Sequence, residues 1–373
     1  MAKKKQIDKP CGCGAEKKHE APCCGPSSPR LIRYRPVRFI GETRVPSGKV
    51  KTVPVQWDNQ DWLGAVLLKL GFFRMSYAVP PGLYGVGSPT RKSPVLVSCN
   101  YKLSFDVLRR SLAGLDAWIL VVDTKGVNVW CSAGKGTFCA EEISRMVKKT
   151  NLEKIVGHKN LVLPQLSAPG VAAYKLFKLC GFRGVFGPVE ASDIPAFVKN
   201  SMKVPASDRL VRFGVRERMS VAWYDLSIAF QWLFVISAAL VVIGLFFNDM
   251  SLTASLIMLT PLILSLLTGV VAGGILVPLS LPLLPTRTFS IKGAVAGALL
   301  GAFVFLPLVI LLNFPGVKSG GYILIAAAVS AYLGLNFTGS TTFTSLSGVK
   351  KEVRVALPSI LGSLAAGLIL IFL

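Results

Sequence analysis

The feature that most limits what this chain can fold into is an abrupt change in charge near Leu226. From Leu226 to Leu373 the sequence contains six Lys or Arg and two acidic residues, whereas the preceding 225 residues hold the other 36 basic and 17 acidic side chains. A stretch of that length with so few charges is typical of a membrane-embedded region. We therefore expect two architectures in series, each adapted to a different solvent.

Five uncharged runs follow one another in the C-terminal part, at 226–247, 252–284, 293–317, 319–349 and 355–373. Each is near or above the ~20 residues that a helix needs to cross ~30 Å of hydrocarbon. We predict an all-α transmembrane bundle of about five helices. The second run contains Pro261, Pro278 and Pro282 and is too long for one straight crossing, so it is either a tilted helix with a broken end or two helices. The Gly/Ser/Thr-rich stretch 338–348 is predicted to be a loop.

The flanking charges predict the orientation. Basic residues that fall on one side if five spans alternate are Arg209, Arg212, Arg216, Arg218, Arg287, Lys292, Lys350, Lys351 and Arg354. Positive residues accumulate on the cytoplasmic side, and we find no secretory signal before the first run. We therefore predict a multi-pass protein of the cytoplasmic (inner) membrane whose first 225 residues face the cytoplasm. The runs contain no Asp, Glu, Lys, Arg, His or Cys, which favours an anchor or assembly platform over an ion-coupled transporter.

The N-terminal part is divided by its composition. We predict a basic, Cys-containing tail at 1–54, an α/β domain at 55–205, a basic linker at 206–225 and the transmembrane domain at 226–373. Apolar runs predict strands at 95–98, 117–122, 161–163 and 184–186, and helical spacing predicts helices at 103–112, 141–149, 172–180 and 194–199. This alternation indicates a mostly parallel sheet with flanking helices, which tends to bind ligands beyond the carboxyl ends of its strands. The basic surface suits membrane lipid or an acidic partner protein, and we predict no nucleic acid partner.

The segment after the strand 117–122 is where we expect chemistry. It contains the run Asn128, Val129, Trp130, Cys131, Ser132, Ala133, Gly134, Lys135, Gly136 and Thr137. Cys131 is placed just before an expected helix start and four residues from Lys135, and both features favour its thiolate. The alternative is a small core cysteine in a tight turn. A phosphate-binding loop is disfavoured because Val129 and Trp130 occupy the neighbourhood where its first glycine is needed.

The run 128–135 resembles the signature Asn-Val-Trp-Cys-(Ala or Ser)-Ala-Gly-Lys of the mercury-methylating corrinoid proteins, the HgcA family. The resemblance continues through His158, 163–171, 186–189 and 193–195, and through the order of a corrinoid domain followed by about five spans. The soluble domain is also similar to the corrinoid domain of the corrinoid iron-sulfur protein large subunit. The iron-sulfur domain of that relative is not evident in this sequence.

The resemblance implies a corrinoid cofactor of the cobalamin type, with Cys131 as the lower axial ligand of cobalt. It implies a corrinoid-dependent methyltransferase that transfers a methyl group to inorganic mercuric ion and produces methylmercury. Further cofactor contacts are then expected from the run 128–137 and from Gln165, Leu166, Gly170 and Val171. The implied partners are a ferredoxin-like iron-sulfur protein (HgcB) as electron donor and a methyl-donor methyltransferase. Two alternatives stay open: a membrane corrinoid methyl carrier for a different acceptor, and a thiol or metal-binding scaffold without turnover.

The remaining candidate groups receive weaker interpretations. His158 is expected to be structural rather than a ligand, and Cys99 and Cys180 lie in apolar contexts typical of inert cysteines. Cys139 is assigned no role. In the tail, Cys11, Cys13, Cys23 and Cys24 are soft ligands that suit mercuric, cuprous or zinc ions and could capture or deliver metal, although their spacing matches neither a zinc finger nor a ferredoxin cluster. A tail with incidental cysteines is the alternative.

Overall fold

The computed structural model describes residues 34–73, 76–247, 250–284, 286–338 and 346–373. These residues form two compact units. The first, the α/β unit, is built from the described residues within 1–55, 75–187 and 194–202. The second, the helical unit, is built from those within 56–74, 188–193 and 203–373. The chain therefore passes between the units several times.

The α/β unit contains a mixed sheet. Within the described residues its strands are β1 Gly41–Val45, β2 Gly48–Val53, β3 Gly82–Val86, β4 Val95–Cys99, β5 Ala117–Val122, β6 Asn160–Leu163 and β7 Arg183–Phe186. Their order is β1-β2-β3-β5-β4-β6-β7. The strands β5, β4, β6 and β7 run parallel, as do β2 and β3, whereas β1 pairs with β2 and β3 pairs with β5 in antiparallel fashion. The predicted mostly parallel sheet is confirmed.

Helices connect and flank these strands. In chain order they are α1 Asn59–Lys69, α2 Lys102–Ser111, α3 Val129–Gly134, α4 Ala140–Lys149, α5 Leu152–Ile155, α6 Ala173–Cys180 and α7 Ile194–Lys199. The four strands and four helices predicted from apolar runs and helical spacing are all present, with bounds that agree within one residue. The strands β4 and β5 could be predicted from the sequence because they are buried along their whole length and carry continuous apolar runs.

Three predicted boundaries differ from the structure. The stretch assigned to the tail 1–54 contributes the hairpin β1–β2, and α1 lies in the helical unit rather than in the α/β domain 55–205. The hairpin was missed because it is an edge element whose strands carry Lys and Arg on their exposed faces, with only Val50, Thr52 and Val53 buried. The predicted linker 206–225 is helical from Val215 onward.

The helical unit agrees with the prediction of about five spans. Its main helices are α8 Val215–Phe247, α9 Leu252–Val271, α10 Val277–Ser280, α11 Phe289–Leu312, α12 Gly316–Thr338 and α13 Leu346–Phe372. In the described part of the chain, five helical segments are long and apolar enough to cross a membrane: Val215–Phe247, Leu252–Ser280, Phe289–Leu312, Gly316–Thr338 and Gly348–Phe372. Most of the predicted loop 338–348 lies outside the described residues.

The long second run forms one helical segment with a local irregularity. A π-helical turn, Ala272–Leu276, joins α9 to α10 without a break. Pro278 has no N–H to donate into the preceding turn, and a wider π turn relieves the crowding that its ring would cause. Of the two interpretations, one helix with an irregular end and two separate helices, the first is therefore correct.

Charged side chains satisfy backbone groups at one end of the helical unit. The Arg218 guanidinium donates to the carbonyls of Pro278 and Leu279, at 2.9 and 3.2 Å. The Lys292 ammonium donates to the Leu281 carbonyl at 2.6 Å, and Glu352 accepts from the Ser290 N–H at 2.7 Å. The beginnings of α8 and α11 therefore meet the chain at the end of α10, and α13 contacts the beginning of α11. Arg218 and Lys292 are two of the basic residues predicted to lie on one side of the membrane.

Close contact between α11 and α12 requires glycine. A Cβ atom on Gly297 would lie 2.7 Å from the Ala326 carbonyl oxygen and from the Ala327 Cα, both of which are backbone atoms. A Cβ atom on Gly362 of α13 would meet no atom within 4 Å. The two positions are therefore a matched pair for testing how tightly the bundle is packed.

We expect Gly297→Ala to lower the apparent Tm of the detergent-solubilised protein by several degrees. The backbone of α12 must shift to admit the methyl group, which typically costs ~1–3 kcal/mol. The control Gly362→Ala should leave the Tm unchanged or raise it slightly because Ala favours helix. Thermal unfolding followed by gel filtration measures both. Equal Tm values for the two variants would contradict this packing.

Candidate functional site

The carboxyl ends of the parallel strands meet at one edge of the sheet, and the predicted site lies there. Cys99 at the end of β4 is paired with Val122 at the end of β5, so the polar residues that follow, Asn100 and Asp123, emerge side by side. The motif 128–137 continues from β5, and the segment 165–171 continues from β6. This edge is where sheets of this kind bind ligands.

Asn100 orders the loop that leads to the motif. Its side-chain oxygen accepts hydrogen bonds from the Thr124 N–H at 3.1 Å, the Thr124 hydroxyl at 2.9 Å and the Gly126 N–H at 2.9 Å. Its amide nitrogen donates to the Asp123 carboxylate at 3.1 Å. Asn100 is completely buried, so one side chain holds three loop residues, Asp123, Thr124 and Gly126, in place. Sequence reasoning missed it, although a polar residue directly after a buried strand was a usable signal.

Asp123 is held as a carboxylate. Burial alone raises its pKa, but the hydrogen bonds and the charge of Lys125 outweigh burial, and the pKa of Asp123 lies below its ordinary value. The Lys125 ammonium is 2.7 Å from the carboxylate. The backbone N–H of Asp123 donates to Glu142 of α4 at 3.0 Å. The loop is therefore pinned to both β4 and α4.

Cys131 lies inside a short helix rather than before one, which corrects the predicted placement. The side chain of Asn128 caps α3 by accepting from the Cys131 N–H at 2.9 Å. The Ser132 hydroxyl donates to the Asn128 carbonyl at 2.6 Å. The Asn128 side chain therefore fixes the start of α3. The six-residue helix was not predicted because it is short and contains Trp130 and Gly134.

The outer face of α3 combines a sulfur atom, an aromatic ring and open space. Cys131 is half-buried, and Trp130 is 41% exposed. Ser132 and Ala133 are buried against the sheet side. A Cβ atom on Gly134 would meet no protein atom within 4 Å. This face therefore offers a thiol and a flat indole on an accessible surface.

The segment 165–171 packs directly against α3. A Cβ atom on Gly170 would lie 2.7 Å from both the Cα and the carbonyl oxygen of Ala133 and 2.8 Å from the Phe138 carbonyl oxygen. Val171 is buried, and Leu166 is half-buried. The side-chain oxygen of Gln165 is buried and has no hydrogen-bond partner among the described residues. The two segments predicted to share a site are therefore brought together by the fold.

Other candidate groups lie elsewhere or serve the fold. His158 precedes β6, and its Nε2 is 2.9 Å from the Ser93 carbonyl oxygen, which precedes β4. Both lie at the amino edge of the parallel strands, opposite the motif, which agrees with a structural role for His158. Burial raises the pKa of the thiols of Cys99 and Cys139, and Cys180 donates to the Leu176 carbonyl within α6.

Two further observations limit the site. In the described part of the chain, no group of three or more His, Cys, Asp or Glu residues could hold a metal ion. Cys11, Cys13, Cys23 and Cys24 lie outside the described residues. A cavity of about 710 Å³ lies between the hairpin and β3, where Phe39, Lys51 and Tyr84 line it, but no residue of the motif does.

The fold and the site define an α/β ligand-binding domain joined to a helical unit with five apolar segments. Residues 73–198 match the family described as CdhD, CO dehydrogenase/acetyl-CoA synthase delta subunit. This range includes β3 to β7 and both site segments, and it leaves out the hairpin and the apolar helices.

Curated relatives carry a related name. The chain is similar to the acetyl-CoA decarbonylase/synthase complex subunit gamma of Methanopyrus kandleri, with 33% identity over 123 residues, which is 32% of this chain and 26% of the relative. The corresponding subunit of Archaeoglobus fulgidus is 28% identical over 130 residues, 34% of this chain and 27% of the relative. Subunit gamma 2 of Methanosarcina thermophila is 33% identical over 134 residues, which is 34% of this chain and 28% of the relative. The chain thus spans about a quarter of each relative's length.

The two site glycines should respond oppositely to alanine. We expect Gly170→Ala to lower the Tm by several degrees, because the new methyl group would meet the backbone of α3. Gly134→Ala should leave the Tm unchanged or raise it, because Ala stabilises a helix by up to ~1 kcal/mol over Gly. Thermal unfolding of the two variants, free of added ligand, measures this. A loss of stability in Gly134→Ala would mean that the fold itself requires that glycine.

Proposed function

We propose that the α/β unit binds a corrinoid through Cys131 and that the protein is a corrinoid-dependent methyltransferase acting on inorganic mercuric ion. The observation that supports this most is the position of Cys131. It is half-buried, beside the exposed Trp130, in an ordered helical turn at the ligand-binding edge of a parallel sheet. Its neighbours in sequence match the signature of the mercury-methylating corrinoid proteins.

The comparisons support the coarser part of this proposal. The similarity to acetyl-CoA decarbonylase/synthase gamma subunits agrees with the resemblance to the corrinoid iron-sulfur protein and implies a corrinoid cofactor. The matched range contains Cys131 and the segment 165–171. The mercury acceptor is the finer part, and it rests on the eight-residue motif alone.

The residues present fit a corrinoid. The macrocycle is flat, broad and edged with amide side chains, so a site for it needs an uncrowded face and polar acceptors. A Cβ atom on Gly134 would meet no atom of the described residues within 4 Å, so the surface beside α3 is uncrowded there. The buried oxygen of Gln165 lacks a partner within the described residues and can accept a hydrogen bond from an amide. Both features support a bound corrinoid.

Each residue then has a task that its contacts define. Cys131 supplies a sulfur ligand, and the cap formed by Asn128 fixes the turn that presents it. Asn100 holds the preceding loop rigid, and Gly170 lets the segment 165–171 close against α3. Trp130 offers a hydrophobic surface that excludes water. The corrinoid, when bound, supplies the organometallic methyl chemistry, which is a property of the cofactor.

Mercuric ion enters this proposal as the substrate. It is a soft ion that binds thiolates, and the cysteines at 11, 13, 23 and 24 are suited to capture it for transfer. A ferredoxin-like iron-sulfur protein would reduce the cobalt, and a separate methyltransferase would restore the methyl group. The second candidate function is a methyl carrier for a different acceptor, which the names of the curated relatives favour.

We expect Cys131→Ala to remove the cobalt-thiolate features from the visible spectrum of the anaerobically purified, corrinoid-loaded protein and to abolish methylmercury formation. The change removes the only atom proposed to ligate cobalt from the protein side. The matched control is Cys139→Ala, eight residues further along, which should change neither readout. An unaltered spectrum in Cys131→Ala would overturn the ligand assignment. A normal wild-type spectrum without methylmercury, in the presence of the reducing partner, would favour the carrier for another acceptor.

Gly134→Ala should reduce the corrinoid retained after gel filtration without lowering the Tm. The added methyl group would occupy the space that we assign to the cofactor, while meeting no protein atom. The ratio of cobalt to protein, measured by elemental analysis, checks this. Retention equal to that of the wild type would mean that the cofactor does not approach α3 at Gly134.

A further inference from the structure

One exposed apolar surface is not used by the proposed methyl chemistry. It lies on α1 and the residues that follow it, and we call it the α1 face. Its members are 47 to 59% exposed and comprise Trp62, Leu63, Val66, Phe72 and Phe73. The opposite side of α1 buries Ala65 and Leu68. An exposed patch of five large apolar side chains is unusual for a water-facing helix and indicates a contact surface.

The helix α1 is firmly placed against the first long apolar helix. The Gln231 side chain of α8 donates a hydrogen bond of 2.8 Å to the Leu70 carbonyl. Leu70 follows the last residue of α1, where carbonyls have no N–H donor within the helix. A Cβ atom on Gly71 would lie 3.3 Å from Ile228 and 3.6 Å from Tyr224. The end of α1 therefore lies level with residues 224–231 of α8.

The composition of α8 around residues 224–231 indicates that a membrane boundary lies there. Charged residues end at Asp225, and the uncharged run begins at Leu226. Exposed aromatic side chains of α8 cluster around it, namely Trp223, Phe230, Trp232 and Phe234. Trp is enriched where a transmembrane helix passes the headgroup region, and Trp223 and Trp232 flank this level. The end of α1 thus packs on α8 at the depth of the lipid interface.

We propose that α1 is an interfacial helix and that the α1 face inserts into the phospholipid bilayer beside α8. The end of α1 packs on α8 at a level where that helix exposes large apolar side chains, which supports a bilayer rather than a partner protein as the occupant of the face. The capping box formed by Asp58 and Asp61 satisfies the N–H groups of these two residues, which reduces the number of backbone donors that need water at the beginning of α1. This proposal does not depend on the corrinoid.

The test uses the full chain reconstituted in liposomes of phosphatidylcholine with or without bromine on the acyl chains. Acyl-chain bromine quenches the fluorescence of tryptophan that is immersed in lipid. We expect Trp62→Phe to reduce the quenched fraction measurably relative to the wild type, because one lipid-immersed ring is removed. The matched control is Trp118→Phe, since Trp118 is buried in β5 of the α/β unit and should contribute no lipid-quenched signal.

A second quencher makes each outcome decisive. Iodide in the aqueous phase should quench the wild type and Trp62→Phe equally if Trp62 is in lipid. If Trp62→Phe instead removes an iodide-quenched component, the α1 face is in water and the proposal is wrong. If neither quencher detects Trp62, while Trp232→Phe still lowers the bromine signal, protein covers the face and the proposal is also wrong. Gel filtration and circular dichroism confirm that the variants are folded.

Discussion

The pairing of β4 with β5 is the interaction on which the rest of the α/β unit depends. Both strands are buried from end to end, so neither can slip along the other without exposing apolar side chains or burying polar ones. Their register places Cys99 opposite Val122, and the chain turns polar immediately afterwards on both strands. Asn100 can therefore reach the loop after β5. A shift of one residue in this register would move the Asn100 side chain away from Thr124 and Gly126. The loop that leads to α3 would then lose the hydrogen bonds that fix it.

The same reasoning explains how much of the fold could be predicted. The buried strands are recognisable in the sequence as unbroken apolar runs, and both ends of β5 were predicted at the correct residue. The hairpin β1–β2 could not be recognised because an edge hairpin of Lys, Arg and Thr resembles a solvated tail in composition. The contact between Gly170 and Ala133 joins segments that are far apart in sequence, so only a resemblance to known proteins could associate them beforehand. Asn100 was missed because a single buried polar residue leaves no periodic pattern.

The helical unit meets a different constraint, which is to satisfy backbone groups where water is scarce. The helix α10 ends at Ser280, so the carbonyls at and just after its end lack the N–H donors of a following helical turn. The side chains of Arg218 and Lys292 donate to them, and Glu352 accepts the N–H at the beginning of α11. These charged side chains therefore satisfy backbone groups, in addition to the role in membrane orientation that the sequence predicts for the basic ones. The uncharged remainder of the bundle depends on close contacts such as that of Gly297, where backbone approaches backbone.

The hydrogen bond between Gln231 and Leu70 links residues 161 positions apart, and this separation has a consequence for biosynthesis. At ~5–20 residues per second, the ribosome needs roughly 10 to 30 s to deliver α8 after α1 has emerged. During that interval the nascent chain carries a helix whose docking partner does not yet exist. The apolar side chains of α1 therefore wait for their partner until the first transmembrane segment has been made, which ties the final placement of α1 to membrane insertion.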